Sequence, residues 1–343
     1  MQSFPRSEPE LEALLSRPSD DLVADLVKLD GDLIILGAGG KMGPSLATLA
    51  RAGLDKAGRA ETRVIAASRW SNAAAADRLR EAGVEPLVVD LGVDADLAAL
   101  PEAANVVYMV GAKFGSAANP GQAWMTNTVL TAILGRRYLG SRFTAFSTGN
   151  VYPLVPIGTK GCQETDPLGP VGEYAMSCLG RERVLGALSE THGLKASVIR
   201  LNYAAEPRYG VLCDIATSIQ AGRPVNLANG YVNVVWQRYA NEVVLRSLLW
   251  ADSPPFVLNL TGAEKASVRS IANRLGTLLG REATFTGSES DTALLSNASK
   301  CHELFGHPDL ALDELVTMQA DWMAGGGSVL GKPTKFERQD GRF

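Results

Sequence analysis

Eight consecutive residues, Gly37-Ala38-Gly39-Gly40-Lys41-Met42-Gly43-Pro44, could bind an anion through the backbone alone. Glycines at 37, 40 and 43 allow a tight turn, close approach of the chain to a pyrophosphate, and close packing of a following helix on the preceding strand. Pro44 suits the first turn of that helix, where an N–H has no intrahelical partner. The apolar run Leu33 to Leu36 precedes the loop, and a helix carrying Leu46, Leu49 and Ala50 follows it. Strand, glycine loop and helix in that order point to dinucleotide binding, the alternative being a tight turn without a ligand. Lys41 and Met42 lie in the loop and share its candidacy for the cofactor. The second apolar run ends at Ser68-Arg69-Trp70, without the acid that selects the ribose hydroxyls of NAD. Arg69 there could pair with the 2′-phosphate of NADP, stack on adenine, or remain solvated. The expected cofactor is therefore NAD(P), with NADP slightly favoured. Asp90-Leu91, after the third run, is placed to meet the adenine or to end a strand.

The elements that would position these residues follow from the spacing of apolar residues. Short continuous apolar runs recur at 33–36, 63–67, 86–89, 105–110, 142–146 and 195–200, separated by helical patterns. This alternation is that of β-α-β units, and continuous rather than alternating runs suit strands covered on both faces. The predicted fold class is α/β, a Rossmann-type doubly wound parallel sheet with a smaller C-terminal substrate lobe. Residues 8–29 read as two short amphipathic helices, the second capped by Ser19, and form a helical N-terminal extension over 1–31. The dinucleotide domain is expected over 32–203. The remainder, 204–343, is expected to be mainly the substrate lobe, with a strand near 256–260 returning to the main sheet. Helices are expected at 214–221, 267–279 and 310–323. The stretch from Gly325 is either an arm lying on the surface or a frayed end.

Composition removes several other functions. With 33 Lys+Arg against 37 Asp+Glu, the formal charge of −4 offers no basic stripe, so nucleic acid is not an expected partner. No apolar stretch approaches the ~20 residues of a membrane span, and residues 1–10 have no apolar core of a secretory signal, so the expected location is cytoplasmic, away from membranes. The four cysteines and three histidines have no metal-ligand spacing.

The ordered motifs resemble those of the extended short-chain dehydrogenases/reductases, also called the NAD-dependent epimerase/dehydratase family. They comprise the loop at 37–43, Asp90-Leu91, the strand Val106 to Ala112, Asn127, Ser147-Thr148-Gly149-Asn150-Val151-Tyr152, Tyr174, Glu182 and Arg200-Leu201-Asn202. Val257 to Gly262 and the segment around Ser299 to Gly306 are also similar to the family's C-terminal part. The resemblance spans roughly 32–322. It implies that Tyr174 is the acid/base, that Thr148 orients the substrate oxygen, and that Asn127 and Lys113 belong to the cofactor site. Such a pair is what hydride transfer at carbon requires, since a proton must move on the oxygen. The resemblance also implies an oxidoreductase, epimerase or dehydratase acting on a secondary alcohol or ketone of a sugar- or sugar-acid-like small molecule.

One position departs from the pattern. Cys178 stands four residues after Tyr174, where the family carries a lysine that serves both tyrosine and cofactor. Arg181 or Lys113 could supply the missing charge, or the chain could be a dinucleotide-binding sensor or scaffold without turnover. Lys113, Asn150, Asn202 and Tyr203 fall at carboxyl ends of predicted strands, where such sheets bind substrate. Tyr152 shares that position, and both Tyr152 and Tyr203 equally suit packing. Val232 to Asn241 aligns with a family segment but lacks its paired acids. No arginines of the kind that grip a nucleotide diphosphate precede it, which favours a smaller substrate. Helices around 122–136 and 174–189 are apolar on more than one face, and the equivalent pair in the family often forms an intersubunit bundle, so a homodimer is expected.

Overall fold

The computed structural model describes residues 4–343. Seven strands, β1 (Leu33–Leu36), β2 (Val64–Ser68), β3 (Glu85–Val88), β4 (Asn105–Tyr108), β5 (Arg142–Thr148), β6 (Lys195–Leu201) and β7 (Phe256–Leu260), form one parallel sheet in the order β7-β6-β5-β4-β1-β2-β3. The order in which strands are added reverses between β1 and β4, so a crevice opens at their carboxyl ends, where this kind of sheet binds ligands. The central strands β1 and β4 are buried at every position because helices cover both faces. At the edge, β3 is only partly covered, which matches its Glu85 and Pro86.

The helices before the sheet's centre are α1 (Glu8–Leu15), α2 (Asp20–Leu26), α3 (Gly43–Lys56), α4 (Ala73–Glu81) and α5 (Asp94–Ala98). Ser19 accepts a hydrogen bond from the Leu22 amide and caps α2. Leu22 and Leu26 of α2 pack on α3 at Gly53, where a side chain would meet Leu26 Cδ1 at 2.5 Å. Next come α6 (Pro120–Trp124), α7 (Leu130–Arg137) and α8 (Gly172–His192). The single helix expected near 122–136 is interrupted by a π-turn at Met125–Val129. Asn127 sits in that turn and reaches inward to the backbone of Ala112, a bond between elements that hydrophobic periodicity does not register.

The remaining helices are α9 (Val211–Gln220), α10 (Gln237–Arg246), α11 (Val268–Leu279), α12 (Ser299–Phe305) and α13 (Leu312–Ala324), with α9, α11 and α13 packed together. α10 lies on α3, where Gln237 and Asn241 both donate to the Ser45 hydroxyl. Residues 325–343 form no helix or strand but are anchored throughout. Leu330 N donates to Arg208 O, Thr334 donates twice to the Asp214 carboxylate, and Asn229 donates to Phe336 O. This stretch is therefore an arm on the surface of the molecule. Among the described residues, no helix is long and apolar enough to cross a membrane.

Candidate active site

A groove of about 1550 Å³ runs along the carboxyl ends of β1, β2 and β4. Gly37, Gly39, Gly40 and Lys41 form its floor, with Ser68, Arg69, Asp90 and Leu91 at one end and Gly111 and Ala112 at the other. Gly37 has φ +89°, and a Cβ there would meet Val110 at 2.9 Å. Gly43 begins α3 and lies against Ala38, whose carbonyl oxygen a Cβ would approach to 2.1 Å. Gly40 differs, since a Cβ would meet only Gly37 O at 3.6 Å. Its lack of a side chain therefore serves whatever approaches from the groove. Among the described residues, the N–H groups of Gly39 and Lys41, both of which line the groove, have no acceptor within the chain. Unpaired amides below the first turn of α3, facing a long groove, fit a dinucleotide pyrophosphate.

The other residues expected at the cofactor site divide between the groove and its supports. Arg69 is exposed on the groove wall. Asp90 also lines it, while its carboxylate accepts the Gly92 amide and shapes its own turn. Met42 and Gly43 do not open onto the groove; they set the start of α3. Asn127, expected at the cofactor, stands among the supports of the groove. Fully buried, it pairs with both backbone groups of Ala112 and donates to Ser177, so it fixes the β4 loop against α8 without facing the groove.

Thr148 ends β5, and its hydroxyl accepts from both the amide and the side chain of Asn150. Tyr174, on the first turn of α8, brings its hydroxyl to Thr148 and Cys178. Burial drives the Tyr174 hydroxyl well above its ordinary value, and the neighbouring Cys178 adds to this, whereas Thr148 and Arg181 pull it down. Burial likewise raises Cys178, whose side chain is only 2% exposed.

The two candidate cations have different surroundings. Arg181 is buried with its donors spent on the carbonyl oxygens of Asn127, Phe146 and Val110, so its charge reaches Tyr174 but its guanidinium cannot also grip a ligand. Lys113 sits on the loop after β4 with its ammonium 5.9 Å from the Tyr174 ring centroid and donates to Thr334 O. Burial, offset in part by Glu337, lowers Lys113 to about 8.

Asn202, expected at the substrate, is instead buried beneath Gly149 and donates to Ser296; a Cβ on Gly149 would fall 1.9 Å from its Oδ1. That Oδ1 has no hydrogen-bond partner among the described residues. Tyr203 has φ +41°, and its ring packs partly buried on the core. Tyr152 takes the packing alternative. Its hydroxyl donates to Asn259 and accepts from Arg200, which forms a buried pair with Glu182 at 2.8 Å.

Two contributions to the site carry no periodic or motif signal. Phe343, at the far end of the arm, sets its ring edge-on to Tyr174, centroids 5.7 Å apart, and its backbone oxygen accepts the Gly115 amide. With the arm in place, a cavity of only about 20 Å³ remains beside Asn150, Tyr152 and Phe343, room for about one water. Glu12 and Ala13 of α1, Ser16 at its end and Arg208 also reach the groove, with Glu12 accepting from Arg208 at 2.6 Å.

The family model described as NAD dependent epimerase/dehydratase family matches residues 33–231. No curated protein matches the chain in sequence. Among solved structures, Pal from Bacillus thuringiensis superposes with a TM-score of 0.72 at 16% identity, over 85% of this chain and 98% of its own. UDP-glucuronic acid 4-epimerase from Bacillus cereus, in complex with UDP-glucuronic acid and NAD, gives 0.70 at 15% identity, over 85% and 98%. dTDP-glucose 4,6-dehydratase from Bacillus anthracis str. Ames, in complex with NAD, gives 0.71 at 15% identity, over 86% and 96%.

Proposed function

The chain belongs to the NAD dependent epimerase/dehydratase family, and on that premise we propose that it is an NAD(P)-dependent oxidoreductase, epimerase or dehydratase acting on a secondary alcohol or ketone of a sugar- or sugar-acid-like molecule. The observation that carries this reading is the meeting of Tyr174 and Thr148 at the carboxyl end of β5, beside the β4 continuation that lines the groove. Sugar-nucleotide enzymes among the similar folds support a carbohydrate substrate. The missing diphosphate-gripping arginines favour one smaller than a nucleotide sugar.

In this reading the glycine-loop amides hold the pyrophosphate, and Arg69 at the open end favours the 2′-phosphate of NADP. A bound nicotinamide would supply the hydride acceptor or donor. Thr148 and Asn150 orient the substrate oxygen, and Tyr174 takes or gives its proton at the hydroxyl. Arg181 from beneath and Lys113 from the side supply the positive potential that a lysine at 178 would have provided. The exposed stripe Met125, Val129 and Ile133, with Met176 on α8, supports a homodimer built on the α6–α7 and α8 face.

A second reading, a dinucleotide sensor without turnover, is favoured by Cys178 and by Phe343 covering Tyr174. Measuring NAD and NADP binding by calorimetry and turnover over a panel of polyols, uronic acids and their keto forms separates the two. Expected results are tighter NADP than NAD binding, a gap narrowed by Arg69→Ala, and turnover that Tyr174→Phe removes while cofactor affinity stays. Wild-type turnover in Tyr174→Phe would move the acid/base role elsewhere. Cofactor binding with no turnover across the panel would favour the sensor.

A further inference from the structure

Three lysine ammoniums converge on one aromatic ring. Lys41 from the glycine loop, Lys113 from the β4 loop and Lys335 from the arm lie 5.3, 5.7 and 5.6 Å from the centroid of Phe114. Lys332, also on the arm, adds its charge at Lys41. The acids within reach are Asp214 and Glu337, and Asp214 already accepts the backbone amide and hydroxyl of Thr334. Four ammoniums therefore face two carboxylates. The hydrogen bonds that Lys41 and Lys113 make go to backbone carbonyls, of Lys332 and Thr334, and an ammonium has three donors. Faces of Tyr209, at 3.5 Å from Lys41, and Phe343, at 4.2 Å from Lys113, stabilise the charges without neutralising them. Burial lowers both Lys41 and Lys113 to about 8, with Asp214 and Glu337 offsetting it only in part and the neighbouring lysines adding to it.

We propose that Lys41, Lys113 and Lys335 form a binding site for an anionic group of the substrate, a carboxylate or a phosphate, closed on one side by the arm. The inference rests on the reading of Tyr174 as the reacting centre and narrows its substrate to an acidic one. Position favours substrate over cofactor. Lys41 borders the groove, but Lys113 and Lys335 do not line it, and Lys113 faces Tyr174 and Phe343. An anion among the three cancels the repulsion that bringing Lys332 and Lys335 onto Lys41 and Lys113 creates. The arm thus closes most readily over an acidic ligand, while a neutral polyol leaves that repulsion in place.

The test is titration of inorganic phosphate into the full chain saturated with its cofactor, followed by calorimetry. Saturable binding at one site is expected, weakened at least tenfold in Lys335→Ala, with the fold checked by circular dichroism. Glucuronate or glucose 6-phosphate is expected to displace the phosphate, and whichever does so identifies carboxylate or phosphate as the natural group; glucose is expected not to. The proposal is overturned by absence of saturable binding, by equal affinity in Lys335→Ala, by displacement by glucose, or by displacement by neither acid. Competition between phosphate and the cofactor itself also overturns it, since the lysines would then serve the pyrophosphate. Repeating the titration on Tyr174→Phe keeps the two ideas apart. Phosphate binding there tests the lysines alone, whereas turnover tests the tyrosine.

Discussion

Cys178 leaves Tyr174 between two cations that approach from outside the usual helix position, and this decides what a restored lysine would do. A lysine at 178 would be buried beside Arg181 and within reach of Lys113. Cys178→Lys is therefore expected to lower both turnover and stability, the latter by about 3 kcal/mol, since a third cation there is desolvated and repelled. An increase in rate at neutral pH would mean that neither Arg181 nor Lys113 acts on the tyrosine. If Tyr174 is the proton acceptor proposed above, its raised hydroxyl leaves little tyrosinate near neutrality, so the rate should climb toward alkaline pH. Lys113 keeps its charge only below about pH 8, so its help is confined to the low-pH end of the profile, and Lys113→Met should lower the rate below about pH 8 and leave it unchanged above. A pH–rate profile unchanged by the substitution would remove Lys113 from this role. Tyr174, Thr148 and the departure at 178 were legible in the sequence because they lie in short local motifs. The spending of Arg181 on three carbonyls was not, since those oxygens come from strand ends and a helix 35 to 71 residues away.

At the scale of elements, the glycine loop separates a ligand function from a folding function. Gly40 has room for a side chain on the protein side, so Gly40→Val should lose cofactor affinity tenfold or more, with a melting temperature near that of the wild type. Gly43 has none, and Gly43→Ala should destabilise the fold by about 1–3 kcal/mol by pushing α3 off Ala38. Thermal melts in parallel with cofactor titrations read both, and a Gly40→Val protein that binds normally would remove this loop from the pyrophosphate. The N-terminal helices belong to the same layer. Leu22 is fully buried against α3, and Arg246 of α10 bonds Asp25 of α2 at 2.7 Å. Leu22→Ala should accordingly cost about 2–5 kcal/mol in chemical denaturation, and a cost near zero would mean that α2 is not part of the folded body. Strands, the loop and the capped α2 follow from local pattern. The π-turn at Met125–Val129 and the entry of α1 into the groove wall do not, because each depends on a partner distant in sequence.

For the molecule as a whole, the arm covers Tyr174 and the outer helix face carries the proposed dimer contact. Mixed charge and glycine at 325–343 left an arm and a frayed end equally open in the sequence. The structure anchors the arm through contacts with Arg208, Asp214, Asn229 and Tyr174, none of which a local pattern encodes. The outer face is a different case, because its residues stand at helical spacing. Met125, Val129 and Ile133 recur every four residues along the π-turn and α7, and are 55, 38 and 43% exposed. Alongside them Met176 projects from α8, and Gly180 lets the two helices approach, a Cβ there meeting Thr128 Oγ1 at 2.7 Å. The pair thus presents a ridge of large apolar side chains to solvent, and pairing with its own two-fold copy would bury it. A charge at the ridge's midline faces its symmetry mate across such an interface, so Val129→Glu should shift the protein from dimer to monomer in light scattering at micromolar concentration. The substituted side chain is surface-exposed in the single chain, so the monomer should keep its circular dichroism; Val129 also borders the groove, so cofactor affinity is not the readout of assembly. A wild-type protein that runs as a monomer under those conditions would place the ridge outside any self-association.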